Sequence, residues 1–410
     1  MADCNSYMKN KKILLITSMY PLLDEGYEGT KVCHFFATEW QKMGYEVRVI
    51  RLTTCFPRIA YVIGKIFKET IKAKTGAVVY TKRLSKYHKY ILDNIPVLLT
   101  PIHKIIPHLV PSEKKLERTL RQAFNDLKSE GFIPDVITAH FQNPQLMALY
   151  IAKKEFPNAQ TCMVMHNDGS KLHGLYKSNL KRYMSAVDTW GFRSHAFKHG
   201  FETLFGKQRN TFICFSGIPE SYIMKKPKTL SPSVNKYAFL GSLFELKRVN
   251  DTIKALANVY INRDFEFNVI GDGAEMTNLK NLASSLEVDN RVHFLGRKNR
   301  DEAQRIVSLS DIFVMVSAHE AFGLVYVEAM AKGCIPIGTK GQGIDGIIKH
   351  GENGFLCEAK NPKALTLLIN HILSLPRIEL EQISINAMKT AQSMTDRKAA
   401  ENYINNIVKG

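Results

Sequence analysis

Short apolar runs of strand length alternate along the chain with longer segments whose apolar positions recur at helical spacing. In the first half KKILLIT, EVRVIRL, DVITA, TCMVM and TFICF predict strands, and residues 31–43, 113–129 and the stretch after Pro144 predict helices. The pattern restarts at residue 236, where KYAFLGS, FEFNVIG, RVHFLG, DIFVMVS and CIPIGT predict strands separated by helices over 249–260, 274–285, 301–309 and beyond residue 319. Such alternation implies an α/β fold with parallel sheets, built as two Rossmann-like doubly wound domains. Three prolines break the periodicity in IPESYIMKKPKTLSPSVN. The predicted division is therefore a first domain over 1–217, a linker over 218–235, a second domain over 236–385, and a C-terminal helix over 386–410 that returns to the first domain. Ligands of these sheets bind beyond the carboxyl ends of the strands, so the two domains are expected to face each other across a substrate cleft.

A chain of 410 residues is too long for one ordinary core, and 45% hydrophobic with 23% charged residues excludes a disordered, collagenous or coiled-coil protein. The longest apolar runs fall far short of the roughly 18 residues of a membrane span. MADCNSYMKNKK leads into the first strand without the apolar stretch and cleavage site of a secretory signal, which points to a cytoplasmic protein. The seven cysteines, at 4, 33, 55, 162, 214, 334 and 357, are scattered and form no CxxC or Cys/His metal spacing, so buried reduced thiols are expected.

Charge changes the picture. The net charge of +18 sits almost entirely in residues 1–233, with 35 Lys and Arg against 18 Asp and Glu. Residues 51–121 alone hold 15 basic and 4 acidic side chains, interleaved with Ile, Tyr and Phe. A basic face with apolar neighbours suits an anionic membrane surface or a polyphosphate ligand; a plain solvated surface and nucleic acid are the alternatives. No helix-turn-helix, zinc or RNA-binding signature accompanies it, so no nucleic acid is expected.

The most informative stretch is HEAFGLVYVEAMAKG, residues 319–333. Glu320 is read at a helix entrance and Glu328 two turns inside, an axial offset of roughly 12 Å at the α-helical rise. Carboxylates so spaced can hold hydroxyls at opposite ends of an elongated ligand, while Phe322, Gly323 and Leu324 offer backbone N–H groups to a diphosphate. A capping role for Glu320 and a buried ion pair for Glu328 are the alternative readings. Lys247 and Arg248, on the first strand–helix turn of the second domain, can absorb the charge of a diphosphate leaving group, since no acidic DxD-type metal site lies in a plausible loop; a solvent-exposed pair at the helix start is the alternative. Gly271, Asp272 and Gly273 form a tight turn or meet the ligand. In the first domain Gly26, Gly29 and Thr30 allow close approach to a phosphate or acceptor, and His140 and His166 end strands, either facing the cleft or serving as structural hydrogen bonders.

These motifs resemble the retaining nucleotide-sugar glycosyltransferases of GT-B fold, the family 4 type known as glycosyl transferases group 1. The spacing of Glu, seven residues, Glu in EAFGLVYVE fits that family, and KKILLITSMYPLLDEGYEGT, DVITAH, VMHNDG, FSGIP, FLGSLFELKRVNDTIKAL, FNVIGDGAE, RVHFLG, GCIPIGT and HGENGFL follow in the family's order. The resemblance implies that Glu320 holds donor-sugar hydroxyls, Glu328 the ribose, and His166 the donor sugar. It also places Gly271, Asp272, Gly273 and Arg297 near the nucleotide. The family's usual Arg after the first Gly of the 241–248 turn is Ser242 here, which shifts the charge to Lys247 and Arg248. The implied reaction moves a hexose or N-acetylhexosamine from a UDP-sugar to a saccharide or lipid-linked acceptor by front-side substitution, without metal or other cofactor. The first domain is the acceptor-binding one, with Thr30 and His140 on the acceptor side, and the protein is peripheral on the inner membrane face. A nucleotide-sugar epimerase or phosphorylase on the same scaffold is the rival enzyme, and a basic nucleic-acid-binding protein the rival outside enzymes.

Overall fold

The computed structural model describes residues 11–23, 29–67, 83–105, 110–261 and 263–408. The chain forms two compact units. The first runs to Arg193, adds Phe197–Cys214 and regains the chain from Ala399; the second comprises Ser194–Ala196 and Phe215–Lys398.

Among the described residues the first unit is built on eight strands: β1 (Lys12–Thr17), β2 (Glu46–Cys55), β3 (His88–Leu92), β4 (Ile95–His103), β5 (Val136–His140), β6 (Gln160–Met165), β7 (Thr189–Phe192) and β8 (Thr211–Ile213). Their order across the sheet is β3-β4-β2-β1-β5-β6-β7-β8. Ile13, Leu14, Leu15 and Ile16 are all fully buried, as a central parallel strand covered on both faces requires. β1 is flanked by β2 and β5, with Ile13 opposite both Val47 and Val136, so the chain reverses direction across the sheet beside β1. β3 and β4 form an antiparallel hairpin that the pattern did not predict. Pro96 and Pro101 argue against a strand in sequence; here the turn residues Asp93 and Asn94, at φ 49° and 62°, set the two-residue turn that pairs the strands.

The second unit carries β9 (Lys236–Leu240), β10 (Glu266–Ile270), β11 (Val292–Gly296), β12 (Ile312–Val314), β13 (Ile335–Thr339) and β14 (Phe355–Cys357). They form a parallel sheet in the order β11-β10-β9-β12-β13-β14, the dinucleotide-fold order with its switch point between β9 and β12.

Two boundaries differ from the sequence reading. Residues 218–235 are irregular but not a free linker: Ile218, Tyr222, Leu230 and Val234 are buried in the second core. Their polar backbone is met by side chains, Ser231 N donating to Asp311 Oδ1 at 2.8 Å and Arg377 to Leu230 O at 2.6 Å, which is how a proline-broken segment can be buried. Residues 386–410 are not one helix. Arg377–Gln392 buries Leu380, Ile383 and Ala387 in the second core, and only the next helix, Asp396–Val408, joins the first unit from Ala399 onward. There Trp40 Nε1 donates to Ala400 O at 3.1 Å.

Candidate functional site

The carboxyl ends of β9 and β12 flank the switch point of the second unit, and the loops that follow them carry most of the candidates. After β9 the chain makes a single 3-10 turn, Glu245–Lys247, and enters the helix Val249–Val259 through Arg248 in the left-handed conformation. After β12 the loop runs to Gly323, also left-handed at φ 81°, before the helix Leu324–Ala331. Ala318 N donates to Leu246 O at 2.8 Å and ties the two loops together.

This geometry brings Lys247 and Glu320 into contact, Nζ to Oε2 at 2.5 Å, with side-chain exposures of 24% and 15%. Glu320 is fixed at its backbone as well: its N–H donates to Gln342 Oε1 at 3.0 Å and its carbonyl accepts from Gly343 N at 2.9 Å. The helix starts four residues after Glu320. The 12 Å offset counted along one continuous helix is therefore corrected: Glu320 belongs to the loop, and Glu328 sits just beyond the first turn. Gly323 is a required glycine, since a Cβ there would lie 2.6 Å from the Tyr326 ring.

Glu328 is 7% exposed and both of its oxygens are held, Oε1 by Arg300 at 3.0 Å and Oε2 by Gln304 at 2.8 Å. Burial raises its pKa, with the Arg300 guanidinium opposing the shift. The ion-pair reading of Glu328 is thus present in the structure; a carboxylate held by two donors keeps lone pairs for ligand hydroxyls. Arg300 and Gln304 lie one helical turn apart on Arg300–Ser308 and were not singled out from the sequence. Gln342 was missed too, its one signal being the glycine-rich GTKGQG after β13.

Arg248 does not join Lys247. Its guanidinium makes a bidentate pair with the buried Asp251 through Nε and Nη2, at 2.8 and 2.9 Å. The cause is local: a left-handed residue at the helix entrance turns its side chain onto the first turn. Ser242 is exposed. Gly271 and Gly273 serve close packing, because a Cβ would lie 1.8 Å from Gly241 O at the first and 2.4 Å from Leu243 O at the second. Asp272 Oδ1 accepts from Gly273 N at 2.8 Å, so the tight-turn reading describes this triplet. Arg297 is exposed after β11.

In the first unit, Thr30 Oγ1 accepts from Val32 N at 3.3 Å at the start of the helix Val32–Lys42, and Gly29 is partly buried; Gly26 lies outside the described residues. His140 ends β5 and His166 follows β6. Their rings meet, His140 Nδ1 to His166 Nε2 at 3.1 Å, and Phe141 stacks on His166 with centroids 3.9 Å apart. Burial drives His140 down to about 3, and burial together with His140 and Arg193 lowers His166, so both imidazoles are neutral at physiological pH. Cys33, Cys55, Cys162, Cys214, Cys334 and Cys357 are free and buried. Among the described residues no group of three His, Cys, Asp or Glu side chains is placed to hold a metal ion, and no helix is long and apolar enough to cross a membrane.

Residues 223–390 match the family described as glycosyl transferases group 1. An N-acetyl-alpha-D-glucosaminyl L-malate synthase of Bacillus anthracis is 28% identical over 235 residues, 55% of this chain and 61% of that enzyme, so the match spans about three fifths of the relative's length. Among solved structures, a glycosyltransferase from Rickettsia africae superimposes with a TM-score of 0.67 at 17% identity, covering 98% of this chain and 99% of that one. Anabaena Alr3699/HepE in complex with UDP superimposes with a TM-score of 0.65 at 18% identity, covering 98% and 100%. At these identities the likeness establishes the fold, two Rossmann-like domains.

Proposed function

We propose that this chain, whose residues 223–390 belong to the glycosyl transferases group 1, moves a hexosyl or N-acetylhexosaminyl group from a UDP-sugar to a saccharide or lipid-linked saccharide acceptor of cell-surface polysaccharide synthesis. The observation that carries this reading is the Lys247–Glu320 pair at the switch point of the second unit: one cation for a departing diphosphate, one carboxylate for sugar hydroxyls. Glu328, held by Arg300 and Gln304, takes the ribose hydroxyls, and His166 a hydroxyl of the sugar. The acceptor hydroxyl attacks the anomeric carbon on the face the diphosphate leaves; the new C–O bond forms as the old one breaks, and the hydroxyl proton passes to a diphosphate oxygen, so configuration is retained. Incubation with a panel of UDP-, GDP- and ADP-sugars and candidate acceptors, with the product's anomeric configuration read by NMR, tests this. A retained configuration from a UDP-sugar is expected; inversion, or conversion of the donor without acceptor, contradicts it.

Lys247 supplies the charge that a metal supplies in DxD enzymes. Saturating EDTA is accordingly expected to leave the initial rate of transfer within about twofold, a factor worth under 1 kcal/mol. Loss of activity that added Mn²⁺ restores would overturn the cationic account.

The partner of the first unit is an anionic membrane surface. The basic stretch is not one face, since Arg51 and Lys104 are buried and Lys89 pairs with Asp126 and Glu130. The helix Arg58–Ile66 is different: Ile59, Val62, Ile63 and Ile66, with Phe67 beside them, are 49–69% exposed and recur at helical spacing, with Arg58 and Lys65 as the cations among them. Lys68 and Lys72 lie outside the described residues. The protein is expected to sediment with phosphatidylglycerol-rich vesicles at low salt and to release as salt rises, each cation near the surface contributing about 1 kcal/mol. A variant with Ile59→Asp, Ile66→Asp and Lys65→Glu should stay in the supernatant yet transfer normally to a soluble acceptor. Equal sedimentation of both proteins would return this helix to a solvated surface.

A further inference from the structure

The histidine pair does not end at His140. Its Nε2 lies 3.0 Å from the hydroxyl of Tyr403, which also contacts Thr138 Oγ1. Thr138 and His140 share β5, two residues apart and on one face of the strand, while Tyr403 comes from the helix Asp396–Val408. Four groups thus form an unbroken row, Thr138, Tyr403, His140, His166, and the first three are fully buried. Each link has one hydrogen, so choosing the donor at one end fixes every later one. If Tyr403 donates to His140 Nε2, the His140 proton is on Nδ1 and is given to His166 Nε2, which leaves the His166 proton on Nδ1. If Tyr403 donates to Thr138 instead, every assignment reverses and His166 Nδ1 becomes an acceptor.

Chemistry selects the first arrangement. The phenol is the most acidic neutral donor of the row and an imidazole nitrogen the most basic neutral acceptor, so their pairing is favoured over phenol to alcohol. Thr138 can then donate to the Tyr403 oxygen, and no buried group of the row is left unsatisfied. Both imidazoles are neutral, so no extra proton blurs the relay. The stacked Phe141, held at φ 68°, fixes the plane of the His166 ring.

We propose that Tyr403 is a positioning residue that sets the tautomer of His166 through His140, so that His166 presents an Nδ1–H donor to its ligand. The donor suits a sugar hydroxyl oxygen; that consequence rests on the function proposed above, whereas the tautomer does not. The relay also gives the C-terminal helix a chemical task in addition to its packing on Phe36, Trp40 and Phe212.

Long-range ¹H–¹⁵N NMR of the 410-residue, ¹⁵N-histidine-labelled chain reads the tautomer directly, with a His166→Gln protein giving the assignment. In the wild type, His166 is expected to be protonated at Nδ1. Tyr403→Phe keeps the ring and removes the hydroxyl, and the Nε2-protonated form of His166 should then appear. Thr138→Val, which leaves the Tyr403 donor in place, should change nothing at His166. An Nε2-protonated His166 in the wild type, an unchanged spectrum in Tyr403→Phe, or a reversal in Thr138→Val would each overturn the relay; the last holds even if the Tyr403 variant fails to fold. Transfer by Tyr403→Phe should fall about tenfold in turnover with donor KM little changed. A shifted tautomer with unchanged turnover upholds the relay and removes His166 from the reaction.

Discussion

Lys247→Ala is expected to lower the turnover of sugar transfer about 100-fold or more, close to 3 kcal/mol of transition-state stabilisation. The side chain has one partner among the described contacts, Glu320 at 2.5 Å, and is 24% exposed, so its charge is neither buried away from a ligand nor committed to a structural network. The account requires that the pair act as a unit. Glu320→Gln should cost a similar factor, and the double variant should be little worse than the worse single one, because each substitution already disables the shared site. Lys247→Arg should recover part of the rate. Additive losses in the double variant would mean that the two residues act independently and that their contact plays no part in transfer, and normal turnover in Lys247→Ala would leave the diphosphate without its cation.

Gly271→Ala should have the largest effect on stability, more than about 4 kcal/mol, the range reserved for a named structural failure. At φ 145° an L side chain is already strained, and its Cβ would stand 1.8 Å from Gly241 O, a backbone atom that cannot rotate away. Gly241 N also donates to Ile270 O at 3.0 Å, so the strand end and the 241–248 loop cannot separate without losing that bond. Gly341→Ala is the matched control: φ is 72° but nothing lies within 4 Å of the added methyl, and the expected cost is 1–2 kcal/mol. Urea denaturation of both proteins, followed by far-ultraviolet circular dichroism, compares them. Similar midpoints would refute the close approach of the two loops.

The parallel strands were legible because a strand buried on both faces reads as a continuous apolar run, as Ile13–Ile16 does in β1. The β3–β4 hairpin was not, because its strands are short or broken by proline and its pairing is set by the Asp93–Asn94 turn. The same limit applies at the site. Lys247 and Glu320 could each be picked out by residue type and by the turn they occupy, but their contact joins positions 73 apart and exists only through the sheet order. The pairing of Arg248 with Asp251 was not legible either, because the backbone conformation that aims the side chain there leaves no mark in composition. Arg300 and Gln304 reach Glu328 from another helix, and Tyr403 reaches His140 across 263 residues. In each case the sequence supplies the chemistry of one partner, and packing supplies the other.

The central claim is that the second unit binds a nucleotide diphosphate sugar with Glu328 at the ribose and Glu320 at the sugar. Titration calorimetry of UDP and of UDP-sugars into the wild type, Glu320→Gln and Glu328→Gln tests it most directly. The account predicts that Glu328→Gln weakens UDP and UDP-sugar alike, by about 10- to 100-fold, the scale of one or two charge-assisted hydrogen bonds. Glu320→Gln should leave UDP binding unchanged and remove only the added affinity of the sugar. A wild type that binds no nucleotide sugar, or a Glu328→Gln protein that binds UDP as tightly as the wild type, would contradict it.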